Sequence, residues 1–432
     1  MIGQSPRERI EMKGELLSPA FGVPLQEPAF SDDRWVSPLN WLPEVRDQMV
    51  FPERLLIHDV TLRDGEQTPR VAFTPDEKIA IAVELDRLGA HSIEPGLPVT
   101  EPDIEVLRAL SAMGLRAAIV PLVRINESDV RASIDAKADG MLLEFSLNPY
   151  FMRDVYQTTP DDLLLRIAEY AQAGKEAGMY VEFMGWDAMR IEGLDFQERF
   201  FRKLAETAPL DRVTIADTFG MGHPFATYHY IRKLRDWTGL PVGFHIHNDF
   251  GLAAAGAIMA VSAGADMVHS SINGLGERSG NVATEEIAMI AQHLLGLDAG
   301  IDLARLKSTS DMVAEISKIR LASNKAIVGD GLFEVESGIA VHAMQAMKDT
   351  PLKNLIFPFQ PQTVGQDACR IVLGVGTGGA STASILEGIG VEASRDEIRE
   401  LTGRFKQAGR VLKNGVPESM VRQIVNDVVG KA

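Results

Sequence analysis

Val242-Gly243-Phe244-His245-Ile246-His247 is a short β-branched and aromatic run with helix-like stretches on either side, and its reading decides the fold. Read as a strand, it places His245 and His247 on one face and turns Ile246 to the other. Seven similar runs punctuate the chain, at residues 55–60, 92–95, 117–123, 141–145, 180–184, 212–216 and 267–270. The segments between them, such as 75–88 and 161–177, read as amphipathic helices. Alternating strand and helix implies a parallel α/β sheet, and eight units is the count that closes a (β/α)8 TIM barrel of about 250 residues. An open, doubly wound sheet is the alternative that alternation alone leaves standing. The expected plan is an N-terminal arm over residues 1–50, a barrel over 51–305 and a smaller, mainly helical C-terminal subdomain over 306–432. Around and within the last, residues 302–324, 396–406 and 418–429 look helical.

The 432 residues include 43 basic and 60 acidic side chains, a formal charge of −17 at pH 7. Hydrophobic residues at 45% and charged residues at 24% are globular proportions, which excludes a disordered or collagen-like chain. The acidic balance argues against nucleic acid or an anionic membrane surface as a partner. A single cysteine, Cys369, cannot close an internal disulfide, and it excludes thiolate zinc sites and iron–sulfur clusters built within one chain. The opening stretch, broken by Arg7, Glu8, Arg9 and Glu11, is unlike a signal peptide. The longest small-apolar run, 251–265, is too short to span a bilayer. A soluble, cytoplasmic protein is expected.

In a parallel barrel, function sits at the C-terminal ends of the strands. The first run leads into Thr61-Leu62-Arg63-Asp64-Gly65-Glu66-Gln67, where an arginine and two acids crowd one glycine. The seventh ends His245-Ile246-His247-Asn248-Asp249, whose two same-face imidazoles suit one metal ion or, alternatively, neighbouring polar groups. The eighth leads to Asn273-Gly274-Leu275-Gly276-Glu277-Arg278-Ser279-Gly280-Asn281, a loop permitting close backbone approach and offering the Asn281 carbonyl oxygen. In a closed barrel these runs are neighbours. Asp64, His245, His247 and Asn281 then form a nitrogen and oxygen set compatible with Mg²⁺, Mn²⁺, Zn²⁺, Co²⁺ or Fe²⁺.

These three motifs resemble those of the metal-dependent acyl-CoA condensing barrels: the 2-isopropylmalate, homocitrate and citramalate synthases, with hydroxymethylglutaryl-CoA lyase as a relative. Ile93-Glu94-Pro95-Gly96-Leu97-Pro98 and Ala216-Asp217-Thr218-Phe219-Gly220 add to the likeness, which covers about residues 50–340. The resemblance implies a 2-oxo acid chelating a divalent metal and condensing with an acyl-CoA, taken as acetyl-CoA. It implies metal ligation by Asp64, His245 and His247, with Asn281 as a further ligand. Arg63 would hold oxyanions, Glu94 would form the polar floor, and Gln67 and Thr218 would contact substrate. The loop carrying Gly274, Gly276, Glu277, Arg278 and Gly280 would close near the thioester. A homodimer is also implied.

The chain departs from that pattern in places. Where the synthases carry Glu-Ser-Gly-Ile-His, this sequence reads Glu336-Ser337-Gly338-Ile339-Ala340-Val341-His342. His342 could replace the missing acid/base only if the local backbone were extended or shifted. The fifth run carries Glu182, Met184 and Trp186 on one face, where the synthases have hydrogen-bonding groups. Facing the mouth, that trio would favour a monocarboxylic 2-oxo acid with an apolar or aromatic tail, Glu182 repelling a second carboxylate. The lyase cysteine is absent from the eighth-run loop, so condensation leads, carbon–carbon cleavage is the alternative, and a silent scaffold is the bland one. About 90–130 residues after the barrel are few for an amino-acid-sensing regulatory domain.

Overall fold

The computed structural model describes residues 27–350, 352–353 and 355–430. Residues 1–26 of the expected arm lie outside the described residues. The chain forms two compact units. One comprises Leu42–Ala322 with Ala326–Val328; the other holds residues 27–41, 323–325 and 329–430.

The first unit is the barrel. Its strands are β1 (Leu56–Asp59), β2 (Ser92–Ile93), β3 (Ala118–Ile119), β4 (Leu122–Arg124), β5 (Gly140–Ser146), β6 (Tyr180–Trp186), β7 (Arg212–Asp217), β8 (Val242–Ile246) and β9 (Met267–Ser270). All pair in parallel, in the order β3-β2-β1-β9-β8-β7-β6-β5-β4. The third expected run is therefore two strands rather than one. Pro121 lacks an N–H and interrupts the ladder. Ahead of it β3 pairs with β2 (Ile93↔Ile119), and beyond it β4 pairs with β5 (Leu122↔Leu142). One broken stave thus bridges the two ends of the sheet, and the ring has eight staves.

Helices start where local chemistry directs them. Thr74 and Glu77 form a reciprocal capping box ahead of Pro75–Leu88, and Thr159 accepts from the Asp162 N–H ahead of Pro160–Glu176. Fully buried Phe183, Phe201 and Phe244 fill the layer between strands and helices, each contributing roughly 1.5–3 kcal/mol by leaving water. The barrel unit runs further than the 305 boundary expected. Helix Leu306–Ser317 belongs to it, because Arg305 and Thr309 both reach Glu84 on the Pro75–Leu88 helix, at 3.0 Å.

The second unit is built on helices Gly338–Met347, Gly379–Gly388, Arg395–Leu412 and Glu418–Val429, with a two-stranded parallel sheet of β10 (Glu334–Val335) and β11 (Arg370–Ile371). Leu373, Leu386, Leu401, Phe405, Val421 and Val425 make its core. Among the described residues no helix is long and apolar enough to cross a membrane.

Candidate active site

The chain leaves β1 into a tight turn in which the Arg63 and Asp64 N–H groups both donate to the Val60 carbonyl. Asp64 is thereby delivered to the C-terminal mouth of the barrel. Its Oδ2 lies 3.4 Å from His245 Nε2 and 3.6 Å from His247 Nε2, and the two Nε2 atoms are 3.3 Å apart. β8 ends at Ile246, and His247 instead bridges Asn281 in antiparallel fashion, which brings the eighth-run loop alongside. Asn281 is 2% exposed. Its Nδ2 donates to the Leu275 carbonyl at 2.8 Å, and its Oδ1 has no hydrogen-bond partner.

These groups fit a divalent cation. Donor separations of 3.3–3.6 Å are those of atoms about 2.1 Å from a shared centre. Burial, reinforced for His245 by the neighbouring His247, pushes both imidazoles below the ordinary histidine range, so both keep their lone pairs at neutral pH. The orphaned Asn281 oxygen is a buried acceptor lacking a donor.

Arg63 is 6% exposed and spends most of its fork on the site itself. Nε reaches Glu94 Oε1 at 2.5 Å, Nη1 reaches Asp64 at 3.0 Å and Gln67 at 3.3 Å, and Nη2 reaches Glu94 Oε2 at 3.4 Å. Glu94 also takes His58 Nε2 at 3.1 Å. Burial alone would raise Glu94, but Arg63 and His58 overcome it and hold the carboxyl down at about 2.

A cavity of about 690 Å³ opens over this cluster. Arg63, Asp64, Gln67, Met184, Trp186, Thr218, His245, His247, Glu277 and Arg278 all border it, so most residues singled out from sequence are brought together. Thr218 Oγ1 accepts the Asp187 N–H at 2.8 Å, leaving its own proton to donate inward. Arg278 is pinned by Asp249 at 3.0 and 3.2 Å and lies 5.2 Å over the Phe219 ring. In the loop, Gly276 passes so close that a Cβ there would stand 2.4 Å from Asn281 Nδ2 and 3.1 Å from Asp64 Oδ1. Gly274 and Gly280 lock the loop by backbone contact, the Asn281 N–H donating to the Gly274 carbonyl at 3.1 Å.

Two expectations need correcting. Glu182 does not border the cavity. It accepts from Thr214 Oγ1 and, at 2.8 Å, from the Tyr180 hydroxyl, and its Oε1 lies 3.3 Å from His269 Nε2. This interior network, extended by Arg212, holds Glu182 at about 2 despite burial, and on its face of the strand Met184 lies between it and Trp186. His342 does not meet the condition of an extended local backbone either. Residues Gly338–Met347 are helical rather than extended, so His342 is turned about 200° from Ala340 and stands exposed.

The structure also adds residues that the sequence reading missed. Glu144 of β5 borders the cavity, as do Leu122, Arg124, Phe145, Phe151, Tyr156 and Arg166. A lone acid inside the apolar run Met141-Leu142-Leu143-Glu144-Phe145 was the available signal for Glu144. Burial drives its carboxyl up to about 7, with Arg63 opposing and the acids Glu94, Asp64 and Glu277 adding to the rise.

A closed parallel barrel whose mouth gathers a carboxylate, two neutral imidazoles and an arginine defines a (β/α)8 enzyme with a metal-binding donor set. The chain belongs to the HMGL-like family, whose profile matches residues 54–313. It is 37% identical over 391 residues to homocitrate synthase AksA of Methanopyrus kandleri, covering 90% of this chain and 96% of that protein. It is 36% identical over 390 residues to a 2-isopropylmalate synthase of Methanocaldococcus jannaschii, covering 89% and 74%. With the (R)-citramalate synthase CimA of that organism it shares 35% over 379 residues, covering 87% and 75%. Among solved structures, hydroxymethylglutaryl-CoA lyase from Pseudomonas aeruginosa superimposes with a TM-score of 0.56 at 20% identity, covering 64% of this chain and 97% of that one. At that identity the likeness is one of fold.

Proposed function

We propose that the protein is an acyltransferase that condenses an acyl-CoA, taken as acetyl-CoA, with a 2-oxo acid in a divalent-metal-dependent reaction. The observation that carries this reading is the convergence of Asp64, His245 and His247 to within 3.6 Å beside Arg63, at the mouth of a barrel whose curated relatives are synthases. Asp64, His245 and His247 would hold the cation, with the Asn281 oxygen in reserve. A bound cation supplies the Lewis acidity that makes a 2-oxo carbonyl electrophilic.

The remaining roles fall to the chain's own groups. Thr218 offers its hydroxyl proton to the substrate carboxylate. Arg63, permanently charged and held in place by Glu94 and Gln67, faces the developing oxyanion with no reorganisation. The loop bearing Glu277 and Arg278 forms the rim beside which the thioester enters, and its glycines let the backbone lie close to Asp64. Carbon–carbon cleavage is the weaker reading, because the loop after β9 carries Glu277 and Arg278 and no cysteine. The same family resemblance supports a cytoplasmic homodimer; light scattering of the purified chain checks the dimer.

Free-thiol release from acetyl-CoA, measured over a panel of 2-oxo acids with and without added Mn²⁺ or Mg²⁺, tests the reaction. Metal-dependent release with at least one acid is expected; no release with any of them would sink the proposal.

A further inference from the structure

The relatives split between synthases for different 2-oxo acids, so their names leave the side chain of the acid open, whereas the cavity wall does not. Around the ring, the metal-binding groups belong to staves β1 and β8 and to the loop after β9, while β4, β5 and β6 stand on the opposite side. A 2-oxo acid anchored by its carboxylate and carbonyl at Asp64, His245 and His247 therefore directs its tail at β4–β6. This step rests on the condensation reading above.

That wall is apolar and aromatic, with one acid set in it. Leu122, Met184 and Ala216 belong to one buried cluster against which Leu97 and Trp186 pack. Above it, Phe151 meets Trp186 edge to face at 4.7 Å, and Phe145 meets Tyr156 at 4.7 Å. Glu144 sits within this surface, its backbone paired with Arg124 on one side and Met184 on the other. Of the two cations nearby, Arg124 grips Asp129 through two bonds of 2.8 and 2.9 Å, and Arg166 spends one N–H on the Ile125 carbonyl.

We infer that the tail pocket selects a monocarboxylic 2-oxo acid with an aromatic side chain, of the phenylpyruvate type, and that Glu144 is the specificity-determining residue that turns away dicarboxylic acids. Aromatic rings supply large contact area to an aryl tail in edge or offset geometry. Glu144 is partly open to the cavity, and it would repel a second carboxylate unless one of the two took up a proton. A small branched tail would leave much of the aromatic wall uncovered.

Calorimetry on the metal-loaded full chain decides this, with phenylpyruvate, 2-oxoisovalerate and 2-oxoglutarate as titrants. Phenylpyruvate is expected to bind at least tenfold more tightly than either other acid. Glu144→Gln, with its metal content verified, should narrow the gap to 2-oxoglutarate at least threefold by tightening that acid. Trp186→Ala should weaken phenylpyruvate about tenfold and leave 2-oxoglutarate within twofold. A wild-type preference for 2-oxoglutarate would overturn the inference and make Arg166 the partner of the second carboxylate. A preference for 2-oxoisovalerate would overturn its aromatic part, and an unchanged gap in Glu144→Gln would remove Glu144 from the role. Failure of all three acids to bind metal-loaded protein would instead strike the condensation reading itself, a result distinct from binding in the wrong order.

Discussion

His245 Nε2 and His247 Nε2 face one another at 3.3 Å, with Asp64 Oδ2 closing the triangle. Two neutral imidazoles cannot both carry a proton on those atoms, so the pair presents at least one bare lone pair toward a carboxylate, which favours a cation among the three. Asp64→Ala and His247→Ala are each expected to abolish retention of the metal, read by elemental analysis, and to lower turnover at least about 100-fold. Circular dichroism should show the barrel intact. Unaltered metal content in both variants would end the ligand assignment.

Arg63→Lys should keep the metal and lose rate by about 10²–10³, because a point charge replaces a fork that spans Glu94, Asp64 and Gln67. Steady-state kinetics with metal saturating checks this. Arg63→Ala should also cost roughly 3 kcal/mol of stability, since it removes the permanent charge beside buried Glu94 and leaves it the His58 contact at 3.1 Å.

Gly276→Ala places a methyl group 2.4 Å from Asn281 Nδ2 and 3.1 Å from Asp64 Oδ1. Metal affinity should fall about 10–100-fold while the melting temperature changes little, because the displaced groups belong to the site rather than the core. A metal titration monitored by thermal shift reads both quantities at once.

Acid should weaken the barrel along a defined range. Glu94 and Glu182 have folded-state values held at about 2, below their ordinary 4.5. Their contribution to stability is complete above that ordinary value and is lost as pH falls through it toward the folded one. Asp59, pushed up by burial to about 6, acts in the opposite sense, its contribution fading as pH rises from 3.8 through 6. Urea midpoints should therefore drop between pH 4.5 and 2, and Glu182→Gln should flatten that drop.

His342→Ala should leave turnover within twofold and the pH–rate profile unshifted, as befits an exposed imidazole turned away from the Ala340 face. Loss of one limb of the profile would restore it to the reaction.

Most of the barrel was legible because its signals are local. Alternating runs, caps such as Thr74 with Glu77, and the three strand-end motifs each sit within a few residues. What escaped depended on distant neighbours. Pro121 was visible, yet only the pairing of Leu122 with β5 shows that one run serves as two strands. Period-two alternation put Glu182, Met184 and Trp186 on one face correctly but carried no information on depth, so the acid enclosed by Thr214 and Tyr180 was taken for one at the mouth. Glu144 went unmarked because Arg63, the charge that acts on it most, is remote in sequence.

The donors proposed for the metal lie on β1, β8 and the loop after β9, and the proposed tail wall on β4–β6, which would give the two halves of the ring separate inheritances. On that reading, substitutions between Leu122 and Trp186 would redraw which acid is accepted without moving a donor atom, and new substrate preferences would be reachable by single mutations that leave the chemistry running. A chimera exchanging only that arc between members of the family would carry its donor's preference on the recipient's metal centre.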